Sequence, residues 1–301
     1  HHWPTLKARI AAFKPDIVHM DEEPYNLATW LALRAAKQAE AKFLFFSWQN
    51  ILRQYPPPFR WMEQQVLGQA DFGIMGNRDA ADVFAKKGFN GPHVIIPQFG
   101  IDVDVFKNRE KRVESREGGK AKNIGFAGRL IKGKGVDLLL DAVAQLPKSI
   151  SWEVLIAGEG PEESNLKAQA QQLGLDDQVK FVGRKGSSEM PGFLQSLDAL
   201  VLPSRTLPNW KEQFGRILVE AMACGVPVIG SDSGEIPHVI GQAGAVFEEG
   251  DVAALAQKLE HIFTADTSAM AEAGRERVLA HFTQDIIAAE TIKVYEQLVD
   301  A

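Results

Sequence analysis

The sequence predicts an α/β protein made of two doubly wound parallel-sheet domains. Short apolar β-forming runs alternate with helix-period segments along nearly the whole chain, the pattern of parallel βαβ units. The runs of the first half are nearly continuous apolar stretches, as in strands covered on both faces. A densely charged stretch, 107–122, breaks the alternation once, and 301 residues suit about two domains.

In the first half the strands are expected at 16–20, 42–48, 72–75 and 93–97, with helices at 26–40, 59–69 and from Asp79 onward. The stretch 107–122 has almost no large apolar residue and reads as a linker. Beyond it come strands 123–127, 152–157, 179–182, 199–202, 227–230 and 245–247. Helices 136–146, 162–173, 190–197 and 214–223, a short one near Ile236, and those from Asp251 to the end alternate with them. The expected division is a partial N-terminal domain at 1–106, the linker 107–122, a second domain at 123–282 and a C-terminal helix within 283–301. A full sheet of this class has about six strands, whereas roughly four are legible before the linker; about 70–90 residues of a preceding βαβ portion are therefore expected to lie outside this numbering.

Thirty-three Lys and Arg against 39 Asp and Glu give a formal charge of −6, which argues against a chain-wide nucleic-acid footprint and requires any bound anion to be held locally. The single Cys224 excludes an intrachain disulfide and a multi-cysteine zinc site. No apolar run reaches the roughly 18 residues of a membrane span, so a cytoplasmic location is the default expectation.

In open α/β sheets ligands bind beyond the carboxyl ends of the strands. The first such junction, Gly128-Arg129-Leu130-Ile131-Lys132-Gly133-Lys134-Gly135, gathers cations, glycines and a helix start, which together suit a diphosphate; a solvated basic turn is the equal alternative. The second, Gly158-Glu159-Gly160-Pro161, reads more simply as a tight turn. The third runs from Pro203-Ser204-Arg205 to Glu212 and on through Phe214-Gly215-Arg216-Ile217 to Glu220. Two carboxylates eight positions apart bracket the N-H groups of a helix start there. Glu220 sits within an inward-facing apolar stretch, where a carboxylate is costly without a partner.

These residues resemble a known family. Glu212 to Glu220 is similar to the E-x(7)-E signature of retaining nucleotide-sugar glycosyltransferases of family four. Pro15-Asp16-Ile17-Val18-His19, Gly100-Ile101-Asp102 with Phe106, Gly128-Arg129 with Lys134-Gly135, Phe181-Val182-Gly183 and Glu220-Ala221-Met222-Ala223 follow in that family's order. The resemblance implies the GT-B fold, two Rossmann-like domains facing a cleft, the N-terminal one incomplete. It implies that Arg129 and Lys134 neutralise the donor diphosphate and that Glu220 holds the ribose hydroxyls. Glu212, with the backbone of Phe214 and Gly215, would hold the donor sugar. Gly128, Arg216 and Ile217 complete the donor-binding set, and Val182 and Arg184 lie near the base.

The implied reaction is retaining transfer of a sugar from a nucleoside diphosphate-sugar to a carbohydrate or lipid-linked acceptor, with no cofactor, no metal and no nucleic-acid partner; peripheral membrane contact is compatible with it. Glu22, Glu23 and Gln49 are the acceptor-side candidates. Many members carry histidine where this chain has Gln49, which cannot act as an acid or base at neutral pH. The alternatives are a non-catalytic nucleotide-sugar-binding module and a GT-B-type epimerase or hydrolase. Asp102-Val103-Asp104 has a metal-binding D-x-D form but is not assigned a metal. In the C-terminal helix, Ile286, Ile287, Ile292, Val294 and Leu298 form an apolar stripe expected to pack on the N-terminal half.

Overall fold

The structure, a computed structural model, describes residues 3–107 and 121–300. The described chain divides into two compact α/β units, one formed by the residues up to Phe99 together with those from Asp285, the other by Gly100–Gln284. The expected linker falls, apart from its ends, outside the described residues, and Lys122 already belongs to a strand.

In the first unit, α1 (Leu6–Phe13) precedes β1 (Ile17–Met20), α2 (Leu27–Gln38), β2 (Lys42–Ser47), α3 (Phe59–Gln69), β3 (Phe72–Met75), α4 (Arg78–Lys86) and β4 (His93–Ile95). The four strands are parallel and lie in the order β1-β2-β3-β4. Successive side chains of β2 point to opposite faces. Phe43 and Phe45 join Ala32, Leu33 and Ala36 of α2, Val66 and Leu67 of α3, and Phe84 of α4 in one cluster. Leu44 and Phe46 join Phe72, Ile74 and Ile96 in another, which is closed by Ile287, Val294 and Leu298 of α12 (Gln284–Val299). Both faces of β2 are therefore dry over Phe43-Leu44-Phe45-Phe46, which is why that run is apolar without a break. Ile292 was expected to face inward, but it is 51% exposed, because it lies on the opposite side of α12 from Val294 and Leu298. Ile286 is half-buried.

The second unit carries β5 (Lys122–Ala127), α5 (Val136–Val143), β6 (Trp152–Ala157), α6 (Glu163–Gln172), β7 (Val179–Gly183), α7 (Met190–Gln195) and β8 (Ala199–Leu202). It continues with α8 (Arg216–Ala223), β9 (Val228–Ser231), α9 (Ile236–Ile240), β10 (Ala245–Phe247), α10 (Val252–Thr264) and α11 (Ser268–His281). Its six strands are ordered β10-β9-β8-β5-β6-β7 and are all parallel. The chain starts at β5 in mid-sheet, winds outward through β6 and β7, then returns to the other side of β5 with β8. The gap between β5 and β8 is thus the topological switch point, the place where such sheets receive ligands.

Residues 100–106, grouped with the N-terminal domain in the sequence reading, belong to this second unit. The Ile101 N-H donates to Phe282 O at 2.7 Å, and Ile101 forms a parallel bridge with Thr283. The Gly100 N-H donates to Gln284 Oε1 at 3.2 Å. The two segments that carry the chain between units are therefore fastened to each other.

Candidate functional site

The loop after β5 opens the site. Arg129 is exposed at its start, and the chain then makes one 3₁₀ turn, Lys132–Lys134, before α5. Gly135 ends that turn at φ +66°, and a Cβ there would lie 1.9 Å from Pro203 O, so only glycine fits. The Arg205 N-H donates to Gly133 O at 2.8 Å, which locks the β5 loop to the loop after β8.

That clamp brings together residues 78 positions apart: Lys134 Nζ donates to Glu212 Oε2 at 2.6 Å. The two side chains are 18% and 9% exposed. Ser204 Oγ donates to the same carboxylate oxygen at 2.9 Å. Lys134 therefore carries its own counter-ion, a pairing the sequence reading did not anticipate.

Gly215, at φ +80°, is left-handed, so α8 begins at Arg216 and not at Phe214 as the apolar pattern had suggested. Leu218, Val219 and Met222 of α8 are buried at the sheet, and Gly225 ends the helix, with the Val226 N-H donating to Ala221 O. Glu220 is buried among these apolar residues, and Arg216 Nε donates to its Oε1 at 2.8 Å. Burial pushes the Glu220 carboxyl above its ordinary range, and Arg216 pulls it partly back. The partner that burial demanded is thus the cation one helical turn earlier. The Leu218 N-H donates to Gly215 O at 2.8 Å, and the aligned peptide dipoles of α8 leave its N-terminal end electropositive.

Beyond β7, Val182 lines an open hollow of about 290 Å³ with Lys185, Glu189 and Phe193. Arg184 is exposed and does not line it; Lys185 is the cation there. Asp102 Oδ1 accepts the N-H groups of Asp104 and Val105 at 2.8 and 3.3 Å, so this carboxylate closes a turn. Among the described residues no group of three or more His, Cys, Asp or Glu side chains could hold a metal ion.

In the first unit, Glu23 and Gln49 meet beyond the carboxyl ends of β1 and β2. Glu23 accepts Ser47 Oγ at 2.6 Å and the Trp48 N-H at 3.1 Å, and the Gln49 N-H donates to Ser47 Oγ at 3.0 Å. Burial raises the Glu23 carboxyl, while those two donors and Lys87 oppose the shift. The Gln49 amide is fixed at both ends, donating to Ile51 O at 3.1 Å and accepting Lys87 Nζ at 2.9 Å. Lys87 is also paired with Glu63, the two side chains being 7% and 6% exposed, and lies over the Tyr55 ring. Glu22 stands apart, accepting Asn26 Nδ2 at 2.7 Å. Lys87, Glu63 and Tyr55 escaped the sequence reading, although Glu63, beside Met62 and one turn before Val66 and Leu67, carries the same signal as Glu220. His19 Nδ1 meets Tyr295 Oη at 2.7 Å, joining β1 to α12. Burial lowers the imidazole's affinity for a second proton.

The sequence profile of the family described as glycosyl transferases group 1 matches residues 107–277, more than half of the chain. The chain belongs to that family. It is 29% identical over 238 residues to the D-inositol 3-phosphate glycosyltransferase of Mycolicibacterium smegmatis, covering 73% of this chain and 52% of that protein. The counterpart from Mycobacterium bovis is also 29% identical, over 68% of this chain and 44% of its own length. The chain thus spans about half the length of the curated relatives it matches. Among solved structures, a glycosyltransferase from Rickettsia africae superposes with a TM-score of 0.81 at 20% identity, over 98% of this chain and 79% of its own. The Anabaena protein HepE in complex with UDP gives 0.79 at 20% identity, over 97% and 82%. Sucrose-phosphate synthase from Thermosynechococcus elongatus gives 0.74 at 24% identity, over 97% and 76%. These likenesses establish the GT-B class of two Rossmann-like units for this group 1 chain.

Proposed function

We propose that this group 1 chain carries the donor side of a retaining, metal-independent glycosyltransferase that takes a nucleoside diphosphate-sugar. The observation that carries the reading is the Lys134–Glu212 pair at the switch point between β5 and β8, with Ser204 on the same carboxylate and Glu220 buried in the following helix. A cation held beside an acceptor of hydroxyl protons suits a ligand whose phosphate and sugar are adjacent.

Arg129 and Lys134 supply positive charge to the diphosphate, Arg129 as a planar fork and Lys134 as a mobile point charge. Gly128 allows the loop to start against β5, and the N-H groups of Phe214 and Gly215, just before α8, and of Arg216 and Ile217, in its first turn, add their dipole. Glu212 accepts from the sugar hydroxyls and Glu220 from the ribose hydroxyls. Val182 borders the base. As the bond between anomeric carbon and diphosphate oxygen breaks, these cations and dipoles stabilise the departing charge. The departing phosphate oxygen takes the acceptor hydroxyl's proton on the same face. Glu23 and Gln49 supply polar groups to a carbohydrate or lipid-linked acceptor. Among the described residues no helix is long and apolar enough to cross a membrane.

A relative solved with UDP makes uridine the first base to try. The test is a panel of nucleoside diphosphate-sugars scored by thermal stabilisation, then by release of the nucleoside diphosphate with excess chelator present. Stabilisation and chelator-resistant turnover by one donor are expected. Activity that needs added manganese, or product of inverted anomeric configuration, would refute the reading. Gln49, its amide engaged by Lys87 and Ile51, favours a second reading as a non-catalytic nucleotide-sugar-binding module; donor binding without turnover on the complete protein distinguishes it.

A further inference from the structure

Trp210 lies outside the motif residues that suggest a donor site, yet its ring packs on the turn that carries Lys134. In the loop between β8 and α8, Leu207 and Trp210 form an antiparallel bridge, with N-H to O distances of 2.8 and 3.2 Å, around the corner residues Pro208 and Asn209. Proline at the first corner suits such a turn. The turn folds the indole back onto the 3₁₀ turn after β5. A Cβ built on Gly133 would sit 2.2 Å from Trp210 Cε3 and 2.6 Å from Cδ2, so the indole packs directly against that glycine. Lys134 Nζ is 5.5 Å from the centre of the same ring while it donates to Glu212. Trp210 itself is only half-buried, so it is not a core residue.

A lysine reaches its charge through four flexible carbons, and fixing them costs conformational entropy unless something already holds the chain. Glu212 holds Lys134 but also cancels its charge. An aromatic face attracts an ammonium through its quadrupole without neutralising it. We propose that Trp210 is a positioning residue that holds the Lys134 ammonium in place for the donor diphosphate. The proposal rests on the donor-site reading above and adds to it the group that presents the cation. Trp210 needs no contact with the ligand, so its effect must pass through Lys134.

The test is a double-mutant cycle on the whole chain. UDP, GDP and ADP are titrated calorimetrically into the wild type, and the tightest is carried through Trp210→Leu, Lys134→Met, the double variant and Trp210→Phe, each checked for an unchanged melting profile. Trp210→Leu should weaken binding about three- to fivefold when Lys134 is present, and by less than about 1.5-fold in the Lys134→Met background. Trp210→Phe, which keeps an aromatic face, should restore affinity to within about twofold and also serves if the leucine variant folds poorly. Equal weakening in both backgrounds would assign Trp210 a general packing role and overturn the proposal, as would unchanged affinity in Trp210→Leu. A Lys134→Met variant that binds as the wild type does, or a wild type that binds none of the three nucleotides, would overturn the donor-site reading itself and this inference with it. Weakening in Lys134→Met without any in Trp210→Leu removes only the inference.

Discussion

Truncation after Gln284 removes the part of α12 that closes one face of the first unit's sheet. Ile287, Val294 and Leu298 are 6%, 5% and 5% exposed, and they cover Leu44, Phe46, Phe72 and Ile74. Burying one such side chain stabilises by about 1.5–3 kcal/mol, so the three together contribute about 4.5–9 kcal/mol. That is comparable to the whole stability of an ordinary domain, about 5–15 kcal/mol. The truncated chain should therefore keep the second unit and lose the first. Hydrogen exchange read by mass spectrometry separates the two: protection should vanish from β2 and β3 and persist in β5, β6 and β8. Single substitutions give the finer test. Ile287→Ala and Leu298→Ala should each cost about 2–5 kcal/mol in urea unfolding of the first unit. Ile292→Ala, at a site 51% exposed, should cost no more than about 0.5 kcal/mol. Retained protection in β2 after truncation, or an Ile292 cost equal to that of Leu298, would refute the packing argument.

Three other outcomes are expected. Arg129→Ala should weaken nucleoside diphosphate binding by about 1.5–3 kcal/mol, the worth of a charge-assisted contact, with an unchanged melting temperature; calorimetric titration checks it. Because burial raises the Glu220 carboxyl, nucleotide affinity should fall on acidification starting above the ordinary carboxylate range, and titrations across pH should show that limb disappear in Glu220→Gln. The folded state holds this proton more tightly than the unfolded one, so ionisation at neutral pH opposes folding; Glu220→Gln should accordingly weaken binding without lowering the melting temperature. Glu63→Gln leaves Lys87 buried without its charged partner and should cost about 3–5 kcal/mol, whereas the paired change Glu63→Leu with Lys87→Met should cost less, as chemical denaturation of all three proteins will show.

The elements themselves were legible in the sequence because their signals are local. The continuous apolar run of β2 announced a strand covered on both faces, and Glu220 stood out as a carboxylate inside an apolar helix face. The start of α8 was misread because Gly215 takes a left-handed conformation that periodicity does not reveal. Ile292 was misread because three isoleucines and their neighbours fit a helical stripe loosely, and only packing decides which side faces the sheet. The pairing of Lys134 with Glu212 and the seat of Trp210 on Gly133 were out of reach for another reason. Both depend on loops from β5 and β8 that are distant in sequence and adjacent only through the winding of the sheet.

The first unit is assembled from both sides of an inserted second unit, and this sets an order of events during synthesis. The strands β1 to β4 leave the ribosome before the inserted unit, but the helix that covers Leu44, Phe46, Phe72 and Ile74 follows only after all of Gly100–Gln284 has been made. At translation rates of about 5–20 residues per second that delay is roughly 10–40 s, during which an apolar sheet face waits uncovered while the inserted unit can fold. A nascent chain stalled before Asp285 should present that face to a chaperone, and synthesis of Asp285–Ala301 should end the encounter.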